Sequence, residues 1–251
     1  MNTSHPLLAK FERSLTLTGA ERDAINVLPV RLEVVKADQA ILREGDRPKR
    51  SFLLVEGLAC NSKVGPNGKR QILAFHLPED MPDLASLYLD LRDSDTWAMT
   101  NCTLAFVSHR DLDRFCDEQR RLSKFLWRDT LINASVHREW TVNVGLREGL
   151  ARMAHLFCEL MLRMRALGRA KDGTCDLALT QADLAEATGL SQVHTNRVIQ
   201  ELRRLELISF ARGQLTVHDW DGLVETADFR ADYLHLPPVD RPESAPGARR
   251  A

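Results

Sequence analysis

Residues 189–208, GLSQVHTNRVIQELRRLELI, decide how this chain is to be read. Gly189 suits a left-handed turn, because it has no Cβ to clash there. Ser191 suits the N-cap of a helix over Ser191–Leu205. On a 3.6-residue period Thr195, Val198, Ile199, Leu202 and Leu205 form an inward stripe, while Gln192, Val193, Asn196, Arg197 and Gln200 share the opposite face. Amides plus one arginine near a helix start match major-groove base edges. Arg bridges guanine O6/N7, Asn or Gln bridges adenine N6/N7, and Val193 can touch a thymine methyl. Taken alone, the pattern also fits a polar, solvated face on a packed helix.

The flanks narrow that choice. Upstream, Thr180-Gln-Ala-Asp183 is a capping-box-like start for a helix over Leu179–Thr188, with Leu184 and Ala185 facing inward. A short helix, a glycine turn and a second helix make a helix-turn-helix. Downstream, Ile208–Phe210 and Gln214–Val217 flank ARGQ as a hairpin, the order of a winged helix-turn-helix. Before the pair, Leu150–Leu167 reads as a helix and GRAKDGTCD as a loop.

Further toward the N-terminus the pattern changes. Residues 30–108 hold short β-rich segments, Arg31–Val35, Ala40–Leu42, Ser51–Val55, Gln71–Leu77 and Thr100–Val107. They are punctuated by REGDRP, VEGLA and the hairpin signal GPNGKR, as in a sandwich or small barrel. Leu7–Leu28 reads as a helical lead-in. Residues 111–145 lack Pro and, until Gly145, Gly; apolar positions recur at Leu122, Phe125/Leu126, Leu131/Ile132, Val136, Trp140 and Val144. One helix of that length wants a partner, and the same helix of a second subunit is the expected one; a core helix within a monomer is the alternative. The Pro-rich end, LPPVDRPESAPGARRA, is expected to be unstructured.

Composition excludes several classes. A net charge of −1 over 251 residues is not that of a generally basic, histone-like binder, though a local basic face remains open. The five cysteines are scattered and never in CxxC spacing, as expected of buried thiols in a reducing compartment. No leader and no apolar run of membrane-spanning length is seen, so the expectation is a cytoplasmic protein with no membrane association. All eight histidines are isolated, which disfavours a metal-dependent cupin-like enzyme, the rival reading of a β-roll.

Residues 179–217 resemble the DNA-binding domain of the Crp/Fnr family of bacterial transcription regulators. REGDRPKRSFLLVEGLA and GPNGKRQILAFHLPED are similar to that family's β-roll, and the likeness covers about residues 28–220. It implies an α+β chain. An antiparallel, cyclic-nucleotide-binding-like β-roll sensor would fill residues 1–118, a dimerisation helix and hinge 119–147, and a winged helix-turn-helix 148–235, with a tail over 236–251. It further implies a homodimer through residues 120–144 on a near-palindromic double-stranded operator, and an RNA polymerase contact if the protein activates. The family's base-reading positions fall on Gln192, Val193 and Arg197, joined here by Asn196; its backbone-phosphate contact falls on Thr180, with Ser191 and His194 added here as backbone candidates. Only Arg197 keeps the residue type of the best-known branches, which carry glutamate where Val193 stands, so the operator is expected to differ from theirs.

The sensor departs further. Where cyclic-AMP-binding members have Gly-Glu-Leu and Arg-Ser, this sequence has Pro82-Asp83-Leu84 and Arg92-Asp93. Pro82 removes a backbone donor from a helix start that would hold phosphate. Asp93 replaces a hydroxyl with a carboxylate expected to lie close to Asp83 and Asp95, with Arg92 neutralising them. His137 and Arg138 fall where the family's long helix approaches the effector. Loss of cyclic AMP binding is expected, with a different small ligand as the alternative. No cofactor is expected: there is no haem signature and no iron–sulfur cysteine cluster. An effector is expected to act by shifting the DNA-binding heads about Leu146–Gly149.

Overall fold

In the computed structural model, residues 4–236 are described. They divide into two compact units, one built from residues up to 63 together with 75–134, the other from 64–74 together with 135 onward.

Two short helices open the chain, α1 (Pro6–Glu12) and α2 (Gly19–Asn26), rather than one lead-in. Thr18 separates them: its extended backbone (φ −73°, ψ 164°) ends continuity, and it caps α2 in a reciprocal box with Glu21. Seven strands follow: β1 (Arg31–Val35), β2 (Ala40–Leu42), β3 (Arg50–Glu56), β4 (Ala59–Val64), β5 (Arg70–His76), β6 (Asp95–Ala98) and β7 (Cys102–Ser108). They form two sheets, β1-β7-β3 and β2-β6-β4-β5. β7 pairs antiparallel with β1 and β3, and β6 pairs antiparallel with β2 and β4.

Strand β3 shows why this is a filled roll. Successive side chains point to opposite faces. Phe52 and Leu54 pack with Ala59, Leu104 and Phe106, while Leu53 packs with Phe11, Ile25, Leu112 and Leu122 from the helices. Both faces are covered, so the strand reads as a continuous apolar run. Strands β4 and β6 are legible only in three dimensions. Gly57, before β4, has φ 97°, and a Cβ there would lie 2.5 Å from the Asn101 carbonyl oxygen, so the turn needs glycine.

The helical stretch expected over 111–145 is two helices, α3 (His109–Glu118) and α4 (Arg120–Leu146). Gln119 (φ −114°, ψ 65°) breaks them without Pro or Gly. The bend lets Leu112 and Phe115 of α3 enter the same core as Leu122 and Leu126 of α4.

In the second unit α5 (Gly149–Ala166) is buried continuously from Met153 to Leu162 and forms the core of the head. The loop expected at GRAKDGTCD is a hairpin, β8 (Ala170–Lys171) with β9 (Thr174–Asp176). Asp172 (φ 48°) and Gly173 (φ 70°) both take left-handed backbone, the geometry of a two-residue turn for which Asp-Gly is suited. Helices α6 (Gln181–Thr188) and α7 (Gln192–Arg204), strands β10 (Ile208–Ala211) and β11 (Gln214–Val217), and α8 (Trp220–Ala227) complete the head. Its sheet runs β10-β11-β9-β8. Apart from Leu236, the expected tail lies outside the described residues. Among the described residues no helix is long and apolar enough to cross a membrane.

Candidate nucleic-acid interface

The two helices of the head are built by their caps. Thr180 caps α6 in a reciprocal box: its Oγ1 accepts from the Asp183 N–H, and the Asp183 carboxylate accepts from the Thr180 N–H. Gly189 ends α6 in the left-handed conformation (φ 66°), and Ser191 caps α7 by accepting from the His194 N–H at 3.2 Å. The turn between the helices is thus fixed by local chemistry.

The faces of α7 sort as the periodicity requires. Thr195, Val198, Ile199 and Leu202 are buried, while Gln192, Val193, His194, Asn196, Arg197 and Gln200 are exposed. Leu205 departs from the expected inward stripe: it is the C-cap of α7 and 41% exposed, because the helix ends there before the stripe can continue. Val193 is 73% exposed, free for an apolar contact from this face. Asn196 Nδ2 donates to Gln181 Oε1 at 3.1 Å, which brings a second amide, from the start of α6, onto the same face. Gly149 faces this helix too: a Cβ there would lie 2.9 Å from His194 Nε2 and 3.5 Å from Val198 Cγ2. Its role in the expected hinge is therefore close packing of α5 against α7.

Thr180 differs from its expected role in one respect. Its hydroxyl donates to Asp183 Oδ2 at 2.6 Å and its N–H to the same oxygen at 2.8 Å. Both of its donors are thus occupied, and a phosphate contact from Thr180 requires opening the capping box. Beside it lies an open groove of about 470 Å³ lined by Thr180, Gln181, Arg203 and Arg212. Arg212 (φ 52°) and Gly213 (φ 76°) form the tip of the β10–β11 wing, and the Gly213 carbonyl accepts from the N–H groups of Leu177 and Ala178. The wing is thereby tied to the segment that leads into α6. Gln181 and Arg212 escaped the sequence reading; the wing turn itself was the available signal for Arg212.

The interior of the roll corrects the expected acidic cluster. Asp83 is wholly buried and accepts from the Phe52 N–H at 3.0 Å, while its Oδ2 has no hydrogen-bond partner. Burial raises its pKa to about 7. Asp93 is exposed and accepts from the Ser94 hydroxyl; Asp95 accepts from the Glu44 N–H. Asp83 is wholly buried while Asp93 faces solvent, so these two carboxylates do not share one setting. Among the described residues Arg92 forms no ion pair within 4.0 Å: its Nη2 donates to Thr96 Oγ1, which donates to Asn61 Oδ1. Leu84 is buried at the start of a 3-10 turn, Leu84–Leu87, whose N-cap Asp83 makes no side-chain capping bond. His137 and Arg138 are exposed on α4. Among the described residues no group of three or more His, Cys, Asp or Glu is arranged to hold a metal ion.

Two family models match in tandem: a cyclic nucleotide-binding domain over residues 32–119 and a Crp-like helix-turn-helix domain over 151–226. The chain belongs to the Crp/Fnr family of transcription regulators. It is 21% identical to the anaerobic regulatory protein of Haemophilus influenzae, covering 84% of this chain and 81% of that one. It is 24% identical to the transcriptional activator protein FnrL of Cereibacter sphaeroides, covering 78% and 80%. The structure of FixK2 from Bradyrhizobium japonicum superposes with a TM-score of 0.72 at 20% identity, covering 81% of this chain and all of that one.

One feature of this Crp/Fnr head was invisible in the sequence. Glu159 on α5 is fully buried, and both of its oxygens accept from Trp140 Nε1 of α4, at 3.2 and 3.0 Å. Tyr233 donates its hydroxyl to Glu159 Oε2 at 2.7 Å, and Arg163 pairs with Oε1 at 3.4 Å. Burial raises the Glu159 pKa while these donors oppose the rise. Next to it His155 stacks on Tyr233, and burial lowers its pKa to about 3, so the imidazole is neutral. The cluster joins the end of the long helix, the head and the segment after α8.

Proposed function

We propose that this regulator is a homodimer that places α7 of each protomer in successive major grooves of a near-palindromic operator. Gln192, Val193, Asn196 and Arg197 read bases, and Ser191 and His194 lie at the sugar–phosphate edge. The observation that carries this reading is the α7 face. Four exposed side chains of base-reading type stand on a helix capped by Ser191, and among the described residues the exposed Arg197 guanidinium takes part in no hydrogen bond or ion pair. Neighbouring Arg204 differs, since Glu201 accepts from it at 2.6 and 2.8 Å and answers its charge locally. Thr180 contacts phosphate only when its capping box opens, and Arg212 on the wing is the added backbone contact.

An operator selected from random sequence tests the reading. Arg197→Ala is expected to weaken binding by about 1–3 kcal/mol and to relax preference at one position per half-site; unchanged binding overturns the base-reading role. Val193 in place of glutamate supports a half-site that lacks the cytosine contact a carboxylate would make.

Dimerisation runs along α4. Trp127, Leu131 and Val142 are 50%, 64% and 40% exposed, and with Ala134 and Arg138 they follow heptad-like spacing on one side of the helix. The limits 1–118, 119–147 and 148–235 are proposed for roll, dimerisation helix with hinge, and head. The sensor is proposed not to take cyclic AMP. Pro82 withdraws a backbone donor, and the buried Asp83 carboxyl stands where an anionic phosphate would need positive charge. Calorimetric titration with cyclic AMP and cyclic GMP is expected to show no site, and saturable micromolar binding reverses this. A contact with RNA polymerase follows if the protein activates.

A further inference from the structure

Outside the roll's polar interior, the first unit holds a half-enclosed cleft of about 220 Å³. The 3-10 turn Leu84–Leu87 forms one wall and helix α4 the other. Leu84, Leu87 and Leu126 line it, so its surface is almost wholly apolar. At its mouth Tyr88 and Trp127 stack with ring centroids 5.5 Å apart and planes inclined by 16°. Both rings are about half exposed, Tyr88 at 56% and Trp127 at 50%. A dry cavity of ~150 Å³ suffices for benzene, so this cleft has room for a ring system somewhat larger. It is too small to seat a helix, whose diameter with side chains is ~10 Å.

Charge restricts the occupant. The cleft is lined by no basic side chain. The carboxylates of Asp113 and Asp117 act on both Tyr88 and Cys116, raising the pKa of each in the same direction as burial does. An anion placed there would meet these carboxylates with no basic side chain in the lining to answer it. Cys116, Ser123 and Thr130 supply the few polar side-chain atoms inside the lining, and the Thr130 hydroxyl already donates to the Leu126 carbonyl, which leaves enough for one hydroxyl or amide of a ligand.

We propose that this cleft binds an uncharged aromatic small molecule of one or two rings. The site lies beside the exposed seam of α4 that holds Trp127 and Leu131, so an occupant would bear on how two copies of α4 meet. Its role as a sensor rests on the regulator reading above; occupancy itself is measured without DNA, so the two fail separately.

The test uses the full chain and two naphthalenes of similar size, neutral 1-naphthol and anionic 1-naphthoate, titrated by calorimetry. Saturable 1-naphthol binding at one site per chain is expected, with 1-naphthoate weaker by about tenfold or more. Ala85→Phe, which fills the cleft from a lining position, is expected to abolish binding while far-ultraviolet circular dichroism stays unchanged. Tyr88→Ala, at the mouth but off the α4 seam, checks the mouth independently and should weaken binding several-fold. No saturable binding to the wild-type chain overturns the proposal, as does equal binding to Ala85→Phe, and equal affinity for both probes overturns the charge assignment. If 1-naphthol binds only to Leu131→Asp and not to the wild-type chain, a second copy covers the cleft and the small-molecule site is refuted.

Discussion

At Asp83 the carboxyl is wholly buried, with one oxygen bonded to the Phe52 N–H and the other unpaired, and desolvation lifts its pKa from 3.8 to about 7. A folded pKa above the unfolded one means that the native state holds the proton more tightly. The resulting stability is fully present below pH 3.8 and is lost as pH rises through about 7. A shift of about three units corresponds to at most roughly 4 kcal/mol. Asp83→Asn keeps the acceptor for Phe52 and cannot ionise, so the wild-type-minus-variant difference in urea unfolding free energy should decline from pH 4 to pH 8. A flat difference would mean that Arg92 and Arg50, whose charges oppose the rise, hold the carboxylate ionised. Residues of this kind are poorly legible in sequence. Thr180, Gly189 and Ser191 were read correctly because a cap or a turn is a contract between neighbours. The setting of Asp83, Asp93 and Arg92 depends on which side chains the roll turns inward.

Elements divide along the same line. The strands Arg31–Val35 and Ala40–Leu42 and the helix pair of the head have local signatures, apolar alternation in one case and capped 3.6-residue periodicity in the other. The β8–β9 hairpin carried a readable Asp-Gly turn, but its strands of two and three residues left no pattern around it. The break at Gln119 has no sequence mark, since it is imposed by a core that takes side chains from α3 and α4 together. Nor does periodicity reveal that Trp140 reaches a buried carboxylate on α5. Trp140→Phe keeps an aromatic ring, removes the donor and gives up part of the buried indole volume, leaving Glu159 with Tyr233 and Arg163; it is expected to cost about 1–3 kcal/mol in urea unfolding. Loss of less than a few tenths would show that solvent or a neighbour replaces the indole N–H.

For the whole molecule, the proposed homodimer needs two heads on its operator, so operator binding should depend on the α4 seam. Leu131→Asp places a charge at a 64% exposed apolar position that only a second copy would cover. Sedimentation is expected to show monomer, and operator affinity should fall to the non-specific level while the fold persists. A stable dimer in that variant would place the interface elsewhere. The sequence by itself determined the order of parts, the winged helix-turn-helix and the four side chains on the outer face of α7, because caps, turns and periodicity act within a few residues. Only the tertiary structure decided that Asp83 is buried with an unpaired oxygen, that Glu159 gathers Trp140 and Tyr233, and that an aromatic-mouthed cleft opens beside the α4 seam. Burial and desolvation arise from residues far apart in the chain, and no local pattern carries them.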